Sequence, residues 1–218
     1  MTSQFRLGAI FWVLTAEFFI AQFIAQAVYP GYSLAEMDIS LLGVTDCNTT
    51  VTGYGCSPRH LVFNGGMVLA GLLIMLGAWL TRRLWPSGPL TVAALCLLAV
   101  GSGLGDILVG IFPVDVFLEG HLAGAVLTLF VACLGILLLG SVLWRSHRAF
   151  ALYSIATGLV SLAMFGCYML EFYLGLGRGV IERIGAWSHN LWYVVAGVLI
   201  LAGHFGKADN PGQRPSVS

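Results

Sequence analysis

The sequence predicts an all-α integral membrane protein, a bundle of six transmembrane helices with both termini on the cytoplasmic side. Hydrophobic residues make up 58% of the 218 residues and charged residues only 9%, and the mean hydropathy is +0.90. This composition lies far outside the range of soluble globular domains. A spanning helix needs about 20 largely apolar residues, so a chain of this length with short connections holds about six.

Turn signals between the apolar segments set the bounds of the predicted helices. Proline and glycine end the first helix at Pro30-Gly31 and interrupt the basic turn after the second. The apolar start of the chain is too long for a signal-peptide core and lacks a clean cleavage site, so we expect it to be retained. The predicted helices are Leu7–Tyr29, His60–Leu80, Pro89–Ile111, His121–Leu143, Ala149–Leu174 and Ala186–Phe205.

These helices form one predicted transmembrane domain, residues 1–205, with a long polar outward loop at 30–59. Residues 206–218 are polar and are predicted to be a disordered cytoplasmic tail.

The distribution of basic residues predicts the orientation. Lys and Arg concentrate on the cytoplasmic side of helical membrane proteins. One side holds Arg6, Arg82, Arg83, Arg145, Arg148, Lys207 and Arg214, and the other holds Arg59, Arg178 and Arg183. The first side is therefore predicted to be cytoplasmic, in a multi-pass protein of the cell membrane.

The charge balance limits the expected partners. The 10 basic and 10 acidic residues give a formal net charge of zero, so no strongly basic face suggests nucleic acid as a partner. Membrane lipids are the expected partners, and a partner membrane protein is a further possibility.

Cysteine positions predict one disulfide bond. Cys47 and Cys56 lie in the outward loop, whereas the other three cysteines lie inside predicted helices. Disulfides form in oxidising compartments, so we expect Cys47 and Cys56 to be bonded to each other.

Polar side chains gather near the outward ends of the helices. Ionisable groups inside hydrocarbon are costly unless they are paired, hydrated or turned toward a protein interior. Asn64, Asp106 and Glu171 are placed in the outward halves of their helices, and the outward rim holds Arg59, His60, Asp115, His121, Glu182, Arg183 and His189. Asp106 and His121 are the catalytic candidates, acting as acid and base, and the remaining eight are candidate ligand-binding residues. This asymmetry predicts a wet cavity that opens outward.

Glu17 is the exception, because it lies near the middle of the first helix. No Lys or Arg of another helix is predicted at that depth, so we expect a neutral glutamic acid that is hydrogen-bonded.

The rim residues have simpler interpretations as well. Histidines near helix ends are stable in the headgroup region, and Glu182-Arg183 could be a solvated pair in a loop. Alternatively, Arg183 could hold a carboxylate or phosphate group. His60, His121 and His189 with Asp106 could also supply a zinc site, although no local ligand spacing supports it.

Several short motifs resemble one family of six-helix membrane proteins. They are Met37–Gly43, Ser57-Pro58, Gly110–Asp115, His121 and Glu182-Arg183, and they occur in the expected order at helix ends. Together they resemble the family catalogued as domain of unknown function 998 (DUF998). The resemblance implies the six-helix architecture and brings no assigned activity.

Three functions are open at this point. The first is an outward-facing pocket that binds, and could process, an amphiphilic lipid-like molecule. The second is a non-enzymatic accessory or assembly subunit of a membrane protein complex. The third is a proton- or ion-coupled carrier that uses Glu17 and Asp106.

Overall fold

Six helices of the protein are long and apolar enough to cross a membrane. They are seen in a computed structural model, which describes residues 2–205; the predicted tail at 206–218 lies outside that range. The helices are α1 (Ser3–Ala27), α2 (His60–Thr81), α3 (Pro89–Ile111), α4 (Leu118–Leu143), α5 (Arg148–Met169) and α6 (Arg178–Leu201). The predicted all-α, six-helix fold is confirmed.

The helices form a ring in chain order. Each helix packs against the next one, and α1 also packs against α6, which closes the ring. Residues 28–59, which we call the cap, lie at one end of the ring, the capped end. Because six spans alternate in direction, residues 2 and 205 both lie at the opposite, uncapped end.

Two helix bounds differ from the prediction in ways that affect the site. α5 ends at Met169 rather than Leu174, because Glu171 and Leu174 have left-handed backbone conformations with φ of 54° and 55°. α6 begins at Arg178 rather than Ala186, directly after Gly177 with a φ of 94°. Apolar content alone could not locate this start, because the first two turns of α6 contain three charged residues, Arg178, Glu182 and Arg183.

Three of the six helices are irregular. α1 is interrupted between its segments Ser3–Leu14 and Glu17–Ala27, where the Thr15 hydroxyl donates a 2.6 Å hydrogen bond to the Trp12 carbonyl. α3 contains a π-helical segment at Ala99–Leu104, and α4 contains another at Leu127–Val131. π-Helical turns are rare in proteins, and those that do occur are often found at functional sites.

The cap has its own small elements. It contains a 3₁₀ helix at Ile39–Gly43 and an antiparallel hairpin of β1 (Asn48–Thr50) and β2 (Gly53–Gly55). The Cys47–Cys56 disulfide joins the two sides of this hairpin, so the predicted disulfide is confirmed.

The Cys47–Cys56 disulfide predicts which cysteines an alkylating reagent can modify before and after reduction. Alkylation of denatured, unreduced protein should modify only the three free cysteines Cys96, Cys133 and Cys167, and intact-mass spectrometry should show all five modified after reduction. Modification of all five before reduction would contradict the bond. The matched control is a Cys47→Ser/Cys56→Ser variant, whose modified mass should not change on reduction.

The interior of the ring is filled with aromatic side chains toward the uncapped end. Trp12, Trp192 and Tyr193 are fully buried and contact one another, with ring centroids 5.2 to 5.8 Å apart. Trp85, Phe150 and Phe205 extend the same cluster to the end of the bundle. The ring interior is therefore closed at this end by aromatic packing, which we call the aromatic plug.

Candidate functional site

Arg183 holds the cap onto the bundle. Its side chain is only 4% exposed and lies in the second turn of α6. Nη1 donates hydrogen bonds to the carbonyls of Leu34 and Met37 at 3.0 and 2.9 Å, and Nη2 donates to the Tyr32 hydroxyl. Burial raises the pKa of the Tyr32 phenol above its ordinary range, so this hydroxyl is neutral and can accept the bond. Nη1 also donates to the Gly179 carbonyl at 2.9 Å, so both terminal nitrogens are committed to backbone and to a tyrosine, while Nε has no partner within residues 2–205.

Asp38 forms a second anchor from the cap side. It is fully buried and pairs with Arg178 at 2.9 Å, the one ion pair among residues 2–205. The Tyr168 hydroxyl donates a 2.5 Å hydrogen bond to the same carboxylate. Burial is the largest influence on the pKa of Asp38 and raises it, while Tyr168 and Arg178 act in the opposite direction. Asp38 therefore connects the cap to the ends of both α5 and α6.

Three further predicted site residues bind cap backbone. The Ile39 N–H donates to Glu182 Oε2 at 2.5 Å, and Asn64 Nδ2 donates to the Gly43 carbonyl at 2.9 Å. Asp115 Oδ2 accepts from the backbone N–H and the hydroxyl of Thr45, both at 2.9 Å. Four of the ten predicted outward residues therefore bind the cap at the capped end: Asn64, Asp115, Glu182 and Arg183.

A second group of polar residues lies deeper in the ring, below the cap, and it meets the aromatic plug at Tyr193, which belongs to both. We call this group the central polar cluster: Glu17, Ser102, Asp106, Thr128, Asn190 and Tyr193. The Thr128 hydroxyl donates a 2.9 Å hydrogen bond to Asp106 Oδ1, and Glu17 is close enough to act electrostatically on the Asp106 carboxyl group. Ser102 lies next to the Tyr193 hydroxyl.

Many polar atoms of this cluster lack partners. Asp106, Ser102, Asn190 and Tyr193 are fully buried. Within residues 2–205, no hydrogen-bond partner is present for Asp106 Oδ2, Glu17 Oε1 or Asn190 Oδ1, and the neighbouring hydroxyls of Ser102 and Tyr193 have none besides each other. Buried polar atoms are nearly always hydrogen-bonded in native proteins, so several unpaired polar atoms in one cluster are unusual and need a physical reason. The expected hydrogen bond of Glu17 is therefore not supplied to Oε1 by the described part of the chain.

A cavity of about 50 Å³ lies between the cap and the central polar cluster. Ser40, Glu182 and His121 line it on the cap side, and Thr128 and Asn190 line it on the cluster side. Its remaining wall is apolar: Phe18, Ile39, Phe63, Met67, Val109, Ala125, Leu129 and Ala186. The cavity connects the two polar regions.

The histidines are placed differently from one another. His189 lies eleven residues into α6 rather than at the rim, and its two ring nitrogens contact the Gly185 carbonyl at 3.1 Å and Asn190 Nδ2 at 3.1 Å. The prediction that placed it at the outward rim is wrong, because α6 begins earlier than predicted. His121 is buried in the first turn of α4, and its Nδ1 lies 2.9 Å from the Phe112 carbonyl.

The two catalytic candidates are not adjacent along the helices. His121 lies seven residues before Thr128, the partner of Asp106, which corresponds to about 10 Å of helix. In the described part of the chain, no group of three or more His, Cys, Asp and Glu side chains could hold a metal ion. The set His60, His121, His189 and Asp106 is therefore not brought together as a zinc site.

The other predicted residues lie at the surface of the capped end. Arg59 is exposed directly before α2, and His60 Nδ1 lies 3.1 Å from the Ser57 carbonyl. Glu171 is exposed in the turn after α5, not inside that helix as predicted, because α5 ends two residues earlier.

Sequence reasoning did not select several residues that the structure brings into these groups. Asp38, Arg178 and Tyr168 form the second cap anchor, and Ser102, Thr128 and Tyr193 complete the central polar cluster. Asp38 falls within the Met37–Gly43 motif and is the one acidic residue of that buried segment. A single acid within this motif could have identified Asp38 as a candidate from the sequence. Single hydroxyl groups in apolar helices carry no comparable signal.

These observations define a multi-pass helical membrane protein whose interior polar cluster lies between a hydrogen-bonded cap and an aromatic plug. The family model described as "Protein of unknown function (DUF998)" matches residues 13–207, and the chain belongs to this family. No curated protein and no solved structure matches the chain. The family description assigns no activity.

Proposed function

We propose that the protein is a proton- or cation-coupled carrier in which the central polar cluster binds the ion. The observation that carries this proposal is the Asp106 carboxyl group. It is fully buried within a membrane-spanning helix, and its Oδ2 has no partner in residues 2–205. Acidic groups inside membrane helices are costly, and they commonly mark ion pathways and proton relays.

The surroundings of Asp106 support an ion rather than a structural salt bridge. Glu17 and Tyr193 are its electrostatic neighbours, and Thr128 donates to it. None of these is a cation, and both carboxyl groups offer oxygen atoms without partners in the described ranges. A proton or a small monovalent cation would satisfy two neighbouring acids, because oxygen atoms are suitable ligands for hard cations.

The irregular helices support the same proposal. The interruption of α1 comes directly before Glu17, and the π-helical segments of α3 and α4 contain Ser102 and Thr128. Carriers often bind ions where membrane helices are discontinuous, because released backbone groups can then contribute to the site. In this proposal the capped end faces outward, as the distribution of Lys and Arg predicts.

Binding of an amphiphilic molecule is the second candidate function. It is favoured by the mostly apolar wall of the cavity between cap and cluster. However, a volume of about 50 Å³ is well below the roughly 300 Å³ of small-molecule sites. A lipid-like ligand would therefore enter only after the cap had moved away.

Ion binding can be tested by ligand-induced stabilisation. The Tm of purified protein in detergent is measured at a series of pH values, and then at fixed pH with sodium, potassium or choline chloride. An ion at a free concentration 100 times its dissociation constant should raise the free energy of unfolding of the wild type by about 2.7 kcal/mol. Asp106→Asn should abolish this dependence on pH or cation, and Glu17→Gln should weaken it.

Matched controls use acids outside the cluster. Asp46→Asn and Glu171→Gln make the same chemical changes at exposed positions of the capped end, and both should retain the wild-type dependence. Proteoliposomes carrying a trapped pH dye or cation dye then test movement across the membrane. An equal response of wild type and Asp106→Asn in both assays would refute the carrier. Lipid that co-purifies with the wild type and is lost on His121→Ala would favour the amphiphile instead.

A further inference from the structure

A large lipid-facing groove lies toward the uncapped end, on residues that are not part of the central polar cluster. It runs between α2 and α3 and has a volume of about 670 Å³, within the range of about 300 to 1,000 Å³ that small-molecule sites occupy. Met75, Leu95, Cys96 and Ala99 form its apolar length, and Arg82 and Arg83 lie at its membrane-surface end.

The packing of the ring explains why this groove exists. α2 and α3 cross closely at Gly71, where an added β-carbon would lie 2.3 Å from the Gly103 carbonyl oxygen. Beyond that crossing, α2 packs on α1 through Gly77 and Trp12, and α3 packs on α4 through Leu98. The two helices therefore diverge toward the uncapped end and leave a groove between them.

The mouth of the groove is preorganised by an arginine. The Arg82 guanidinium lies 3.7 Å from the centre of the Trp79 ring and donates a 2.5 Å hydrogen bond to the Trp79 carbonyl. Trp79 is 63% exposed, as expected for an interfacial tryptophan. Arg83 is exposed beside it.

No protein anion in the described part of the chain balances this positive charge. Asp209 lies outside residues 2–205, and none of the other acidic residues falls in the segments that form the uncapped end. The same end also holds Arg6, Arg145 and Arg148. A complementary negative charge at this depth is available from a phospholipid headgroup.

We propose that the groove between α2 and α3 is a binding site for an anionic phospholipid of the bilayer. The phosphate contacts Arg82 and Arg83, and one acyl chain lies along Met75, Leu95 and Ala99. Arginine suits phosphate because its planar guanidinium presents several donors in a fixed arrangement. This site is separate from the proposed ion site and does not depend on it.

Native mass spectrometry of the full chain can measure the binding. The protein is purified in detergent and titrated with phosphatidylglycerol or with phosphatidylcholine of the same acyl chains. Arg82→Gln/Arg83→Gln should weaken phosphatidylglycerol binding about 25-fold, as expected from the loss of two basic groups near the surface. Binding of phosphatidylcholine should change little. Arg145→Gln/Arg148→Gln removes the same charge from the same end and should retain phosphatidylglycerol binding.

A second pair of variants tests the apolar part of the groove. Cys96 is exposed and lines it, so Cys96→Trp should fill the groove and displace the lipid without disturbing the core. Leu69→Trp is the control, because Leu69 is 47% exposed on α2 and does not line the groove. The proposal would be overturned if the two double-arginine variants lost phosphatidylglycerol binding equally. It would also be overturned if binding were unchanged in both Arg82→Gln/Arg83→Gln and Cys96→Trp.

Discussion

Replacing Arg183 with methionine is expected to release the cap and to destabilise the protein by about 3 to 5 kcal/mol, because removal of the donor leaves buried acceptors unpaired. The carbonyls of Leu34 and Met37 and the hydroxyl of Tyr32 would lose the same partner at once. Methionine is chosen because it keeps most of the volume of the side chain. The effect therefore reports the lost hydrogen bonds rather than a cavity.

Hydrogen exchange followed by mass spectrometry would locate the effect. The amides of Ile39 and Gly179 donate to Glu182 and Ala35 across the contact between cap and bundle, so their protection should fall in Arg183→Met. Arg59→Met removes one arginine from an exposed position at the same end and should leave both protection and Tm unchanged. Wild-type protection of the cap in Arg183→Met would show that Arg183 does not hold it.

Replacing Gly71 with valine is expected to cost about 3 kcal/mol, because the added atoms would overlap the backbone of α3. The β-carbon alone would lie 2.3 Å from the Gly103 carbonyl oxygen and 2.8 Å from Ile107 Cγ1. Backbone atoms cannot rotate away as a side chain can. α2 and α3 would therefore have to separate, which would alter the position of Asp106, one residue before Ile107.

Gly65 offers a control within the same helix. An added β-carbon at Gly65 meets no described atom within 4 Å, and the residue is exposed. Gly65→Val should leave thermal stability close to wild type, while Gly71→Val lowers it and weakens the ion-dependent stabilisation. Similar Tm values for the two variants would show that close approach of α2 and α3 at Gly71 is not required.

The sequence predicted the location of the outward polar group better than its contacts. Glu182, Arg183, Asn64 and Asp115 were identified because polar residues near membrane helices are costly, and they do lie at the capped end. That principle says that such groups need partners and does not say which ones. Their partners are backbone groups of the cap, and a loop backbone carries no side-chain pattern from which its hydrogen bonds could be inferred.

The position of His189 was mispredicted for a related reason. Apolar content marks the part of a helix within hydrocarbon, so it missed the first turns of α6, which contain Arg178, Glu182 and Arg183 and bind the cap. Moving the start of α6 from Ala186 to Arg178 moves His189 from the rim to the ring interior. Glu17 and Asp106 of the central polar cluster were identified from the sequence, but Ser102, Thr128 and Tyr193 were missed, because a lone hydroxyl in an apolar helix is usually a packing residue.

The sequence by itself determined the number of membrane helices, the cap as a separate polar segment and the Cys47–Cys56 disulfide. These depend on local composition and on residue types that act over short distances along the chain. Only the tertiary structure decided which polar groups meet. Asp38 reaches Arg178, and Asp106 reaches Thr128, through ring packing that brings distant segments together. The physical reason is that hydrogen bonds and charge contacts depend on distances of a few ångströms, which helix packing sets and local hydropathy does not.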